Sequence, residues 1–119
     1  MVVWESLNQD GSSLGIYAQR YDASGAPAGG EMLVNTTTAG QQNSPLVAAL
    51  SGGGYIVIWT SDDASLTGVF AQRYDASGVP QGGETLVNTT TANHQSDYAA
   101  TALLGGDYVI VWSSLNQDG

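Results

Sequence analysis

Laid on itself with a shift of 53 positions, the chain repeats: "GIYAQRYDASGAPAGGEMLVNTTTA" (Gly15–Ala39) falls on "GVFAQRYDASGVPQGGETLVNTTTA" (Gly68–Ala92). "AALSGGGYIVIW" (Ala48–Trp59) falls on "TALLGGDYVIVW" (Thr101–Trp112) at the same shift, and the opening "VVWESLNQDG" returns as the closing "IVWSSLNQDG". A period of this size makes each copy one supersecondary unit. Such a unit hides its apolar surface by stacking on its neighbours rather than by closing a core of its own.

Each unit reads as strands. No apolar stripe of helical period runs for a useful length, whereas short β-branched and aromatic runs bounded by glycine recur. The central unit holds "SPLVAAL" (Ser44–Leu50), "YIVIWTS" (Tyr55–Ser61), "GVFAQRYD" (Gly68–Asp75) and "ETLVN" (Glu84–Asn88). "SGGG" (Ser51–Gly54) is a tight glycine hairpin between the first two, and "DASG" (Asp75–Gly78) starts the turn between the last two. "YIVIW" and "LVAAL" lack the polar alternation of a one-sided sheet, so both of their faces are covered.

A unit of about 50 residues with four antiparallel strands matches a blade of a β-propeller. The expected strand order runs outward from the Ala-rich strand through the Trp-bearing and Arg-bearing strands to "LVN", and "NTTTAGQQNS" (Asn35–Ser44) crosses to the next blade. The fold class is thus all-β, with two blade-equivalents per chain. Residues 1–43 are the last three strands of a blade plus a crossover, 44–88 a complete blade, and 89–119 a crossover plus the first two strands of another. Two blades cannot close a ring. Homo-oligomerisation is therefore expected to complete it, with three or four chains giving about six or eight blades. The Trp-bearing strand is then present twice where two copies meet, and for that reason a non-propeller β-sandwich or a swapped dimer stays open as the alternative. The start in "VVW" and the end within a repeat suggest an excised or engineered fragment.

Eleven acidic side chains against two basic ones give a formal net charge of −9. Such a balance disfavours nucleic acid and anionic membrane surfaces, which call for clustered Lys and Arg. No cysteine is present, which excludes disulfides and thiolate metal sites.

The succession of "GIYAQRYDASG", "GGE", "VNTTTA" and "ALxGGxYVIVW" over Val2–Gly119 resembles repeat modules of very large secreted bacterial proteins. These are adhesin-like and belong with the RTX, haemolysin-type calcium-binding class. The resemblance implies export, surface display and a structural or adhesive role. The glycine-aspartate nonapeptide that binds calcium in that class is absent here, so calcium does not come with the resemblance.

The only two cations of the chain, Arg20 and Arg73, sit at one repeated place. A lone Arg on a packed strand needs a carboxylate or carbonyl partner. Asp22, Asp75, Glu31 and Glu84 are the nearby acids, and the set is expected to brace each blade's turn or bridge to the next blade. Trp4, Trp59 and Trp112 share one blade position and are read as packing between blades, the alternative being a platform for a glycan. "LNQDGSS" sets Asn8 and Asp10 before a strand, loosely like a calcium loop, and Asp62 and Asp63 stand at its central counterpart. His94 reads as a solvated loop residue. No nucleophile, base and acid recur together, so the expected function is non-catalytic. Its rivals are a lectin-like propeller and a calcium-stabilised adhesion module.

Overall fold

A computed structural model describes residues 1–9, 11, 13–62, 67–89 and 95–115. Among them nine strands form three antiparallel sheets, and the fold is all-β. The first sheet has the order β1 (Val2–Leu7), β2 (Leu14–Gln19), β3 (Met32–Leu33). The central sheet runs β4 (Gln41–Ala49), β5 (Tyr55–Asp62), β6 (Thr67–Tyr74), β7 (Thr85–Leu86). The C-terminal sheet pairs β8 (Gln95–Ala102) with β9 (Tyr108–Ser114) across a short 3-10 turn, Leu104–Gly106. In the central sheet the Ala-rich, Trp-bearing, Arg-bearing and "LVN" segments lie side by side in chain order.

The turns follow from their residues. In the β4–β5 hairpin Leu50 N donates to Gly54 O at 2.8 Å, with Gly52 and Gly53 at φ of 92° and 89°. Only glycine adopts that backbone without a steric cost. After β6, Gly78 N donates to Asp75 O and Asp75 N to Val79 O, both at 3.0 Å. The same pair of bonds closes the turn at Asp22–Ala26.

Two strand ends lie more than one residue from the sequence reading. The first strand of the central unit begins at Gln41, not Ser44. Ser44 takes a left-handed φ of 55° inside a bulge between Asn43 and Leu46, which absorbs Pro45 and lets Gln41–Asn43 pair with Thr60–Asp62. Asp97, the counterpart of Ser44, has φ of 50° in the same bulge of β8. The fourth strand is also shorter than "ETLVN". Past Leu86, Val87 N still reaches Val69 O, but Val69 N is taken by the Asn88 side chain at 2.7 Å. Asn35 does the same to Ile16 N, also at 2.7 Å. A buried amide thus replaces the last rung of the ladder in both copies.

The three sheets stack face to face, and the central one is covered on both sides. Alternation along β5 puts Tyr55, Val57 and Trp59 on one face and Ile56 and Ile58 on the other. The first face packs on Ile16, Ala18 and Val34 of the first sheet's unit. The second joins Val69 and Ala71 of β6 against Tyr98, Ala100, Tyr108 and Ile110 of the C-terminal sheet. Every stack therefore sets one kind of face against the other.

Candidate functional site

The seam between the first and central sheets holds the repeated polar residues. Arg20 follows β2, on the side of the strand that carries Ile16 and Ala18 towards the central sheet. Its guanidinium crosses the seam and donates to the carbonyl of Ala76 at 2.9 Å and to that of Ser77. These carbonyls belong to the "DASG" turn of the next unit. Arg20 thus bridges to the neighbouring sheet, and its partners are carbonyls. Among the described residues no ion pair joins either Arg to a carboxylate.

The four acids named with the arginines have other partners. The Asp22 carboxylate accepts from Ser24 N at 2.8 Å, the Ser24 hydroxyl at 2.6 Å and Ala26 N at 3.0 Å. These bonds, the Ser24 hydroxyl first, hold its carboxyl below the usual carboxylate range. Asp75 takes Ser77 N at 2.8 Å and Val79 N at 3.0 Å. Both aspartates brace their own turns. Glu84 instead spans the seam, accepting from Thr36 N at 2.7 Å, the Thr36 hydroxyl at 3.0 Å and Thr37 N at 3.3 Å. Glu31 accepts from the Gln9 side-chain amide. The stack is held by two latches of opposite sense: Arg20 reaches forward to the later unit, and Glu84 reaches back to the earlier one.

Sequence reasoning named Glu84 as a brace but not its Thr36 and Thr37 partners, and it missed the buried amides. Gln72 Nε2 donates to Arg73 O at 3.0 Å and Gly82 O at 3.1 Å, pinning the loop after the turn, and Gln19 repeats this on Arg20 and Gly29. Gln42 is fully buried and donates to Ala39 O at 2.8 Å. The signal was present: "GGE", "NTT" and the Gln of "AQRY" are identical in both copies.

The tryptophans divide by the sheet that carries them. Trp59 is 1% exposed and stacks on Phe70 with centroids 6.3 Å apart, inside the seam. Trp4 stacks on Tyr17 at 6.4 Å on the first sheet's outer side. Trp112 is 36% exposed, because among the described residues no third strand lies beside β9 to supply a partner ring. Of the calcium candidates, Asn8 has a left-handed φ of 59° and donates its N–H to Ser13 O at 2.7 Å. Asp62 closes β5 opposite Gln41 and Thr67. Asp10, Asp63 and His94 lie outside the described residues, and among the described residues no three His, Cys, Asp or Glu side chains gather to hold a metal ion.

At the turn end of the seam Tyr55 and Tyr74 stack at 5.0 Å. Burial first, then Tyr55 and Glu84, pushes the Tyr74 hydroxyl up to about 12, and burial also raises Tyr55. Unfolded tyrosine ionises near pH ~10. Between there and about 12 the native chain keeps protons that the unfolded chain has lost, so stability falls as pH rises through that window. The melting midpoint at pH ~11 is expected below that at pH ~9, with Tyr74→Phe flattening the drop. Equal midpoints for the parent chain would show that the pair ionises as freely folded as unfolded.

No family model matches the chain, and comparisons with curated proteins and with solved structures return no match.

Proposed function

We propose that the chain is a non-catalytic repeat module that joins head to tail with copies of itself, its stacked sheets acting as blades of a closed β-propeller, three or four chains to a ring. In this reading it serves as a structural or adhesive segment of an exported bacterial protein, as its sequence resemblance implies. One observation carries the proposal. Ile56 and Ile58 are 0% exposed because another sheet covers them, whereas their counterparts Val109 and Val111 are 43% and 57% exposed. At the other end Val2, Tyr21 and Leu33 are exposed as well. The two ends are the two kinds of face that pack together inside the chain. A second copy can therefore cover these faces with the same kinds of face that meet inside the chain, in a heterologous, head-to-tail contact.

Light scattering across a range of concentrations tests this. Salt is needed to screen the repulsion between copies that each carry a formal −9. The expected result is a mass that is a small multiple of 12.3 kDa, without open-ended growth. A folded chain that stays at the single-chain mass throughout would refute self-assembly.

A further inference from the structure

The Arg20 latch of the inner seam recurs at the chain's ends as two unmatched halves. Moved by 53 positions, Arg20 becomes Arg73, which is exposed and whose guanidinium has no hydrogen-bond or ion-pair partner among the described residues. Ala76 and Ser77, which accept Arg20, correspond to Ala23 and Ser24, both exposed. Glycine contacts make the same point. A Cβ on Gly78 would lie 2.9 Å from Arg20 Cδ and 3.3 Å from its Nη1, whereas a Cβ on Gly25 would meet nothing within 4 Å. The turn at Gly25 thus has an open space where its counterpart holds an arginine.

Arg73 is already posed for such a turn. Arg20 stands beside Gly53 and Gly54 of the β4–β5 hairpin. Arg73 stands likewise over the β8–β9 hairpin, where a Cβ on Gly106 would be 3.2 Å from its Nη2. The C-terminal sheet supplies the first two strands of a unit, and no third strand follows among the described residues. The chain's other "DASG" turn is at Asp22–Gly25, at the opposite end of the molecule.

Resting on the self-assembly reading, we propose that Arg73 of one copy grips the Ala23 and Ser24 carbonyls of a second, as Arg20 grips Ala76 and Ser77. For this, β2 of the second copy lies beside β9 as β6 lies beside β5, and its turn comes under Arg73. β9, held to β8 by a hairpin, then takes the edge of β2 that the near-identical β1 occupies in the single chain, and β1 of the second copy gives up that edge. Trp112 meets Tyr17 of the second copy as Trp59 meets Phe70. The contact is a fork of N–H donors on two successive carbonyls, which a lysine ammonium cannot reproduce. It is a docking site for a second copy of this chain, and it is incomplete without that copy.

The test compares the parent chain with Arg73→Lys, Arg73→Ala and Gly25→Asn. Asparagine tolerates the left-handed backbone of Gly25, at φ of 83°, but places a side chain in the space meant for the arginine. Association is read as the dissociation constant from concentration-dependent light scattering, and folding from circular dichroism. All three variants are expected to fold as the parent does and to dissociate at about 10-fold or more higher concentration, a loss in the range of charge-assisted hydrogen bonds. If the parent associates and the variants associate equally, the Arg73 latch is refuted while self-assembly stands. If the parent is a monomer at every concentration, both fall together.

Discussion

Replacing Trp59 by alanine is expected to lower stability by about 3–5 kcal/mol, the range for removing a large aromatic from a packed interior. Trp59 is 1% exposed and lies between Phe70 of its own sheet and the Ile16, Ala18 and Val34 cluster of the first sheet. No neighbour is free to fill the gap. β4 and β6 fix the backbone on either side of β5, and the two seam latches hold the first sheet at its distance. The loss is a large part of the roughly 5–15 kcal/mol that a domain usually has. At about 4 °C or more per kcal/mol, the melting midpoint should fall by well over 10 °C. Trp112→Ala is the control. It removes the same side chain from the same repeat position, but at 36% exposure, and should cost the isolated chain far less. Equal losses from both, or no loss from Trp59→Ala, would mean that the seam does not depend on this ring.

What the sequence made legible was whatever lies within one unit. The strand order, the glycine hairpin at Ser51–Gly54 and the Asp-led turns depend on local backbone chemistry and on residues that neighbour one another along a strand or across a hairpin. The two-sided burial of "YIVIW" was legible for the same reason, since a run with no polar alternation has no side to offer water. The partners across the seam were not legible. Whether Arg20 finds Asp22, Glu31 or the carbonyls of a turn 56 and 57 residues away depends on how two sheets are set against each other. No periodicity within a strand encodes that setting. Glu84 shows the same limit: its Thr36 partner is 48 residues away and belongs to the other unit. The start of β4 at Gln41 escaped for a smaller reason. Pro45 reads as the head of a strand, and only the left-handed Ser44 beside it lets the pairing run on past the proline. Repetition itself was the usable signal, because a polar side chain kept in both copies is one whose partner recurs too.

The second large effect contrasts two positions that the repeat makes equivalent. Ile58→Asp puts a carboxylate where exposure is 0%, among Ile56, Val69 and Ala71 under the C-terminal sheet. The nearest cation, Arg73, stands on the same face opposite Ile56, with its guanidinium extended over the β8–β9 hairpin at Gly106. An unpaired buried charge costs several kcal/mol even after the carboxyl takes up a proton, so this variant should be largely unfolded at neutral pH and should recover in part as pH falls below the raised pKa. Val111→Asp makes the same change at the counterpart position, which is 57% exposed. The isolated chain should lose less than about 1 kcal/mol, as exposed substitutions do, and its circular dichroism should match the parent. Association should instead weaken by about 100-fold or more, because in a ring this face is covered as that of Ile58 is, and the carboxylate would be buried against a second copy. Light scattering separates the cases. A folded Val111→Asp monomer under conditions where the parent associates is the expected result. A variant that associates like the parent would show that the outer face of β9 stays in water and that copies join, if they join, through some other surface.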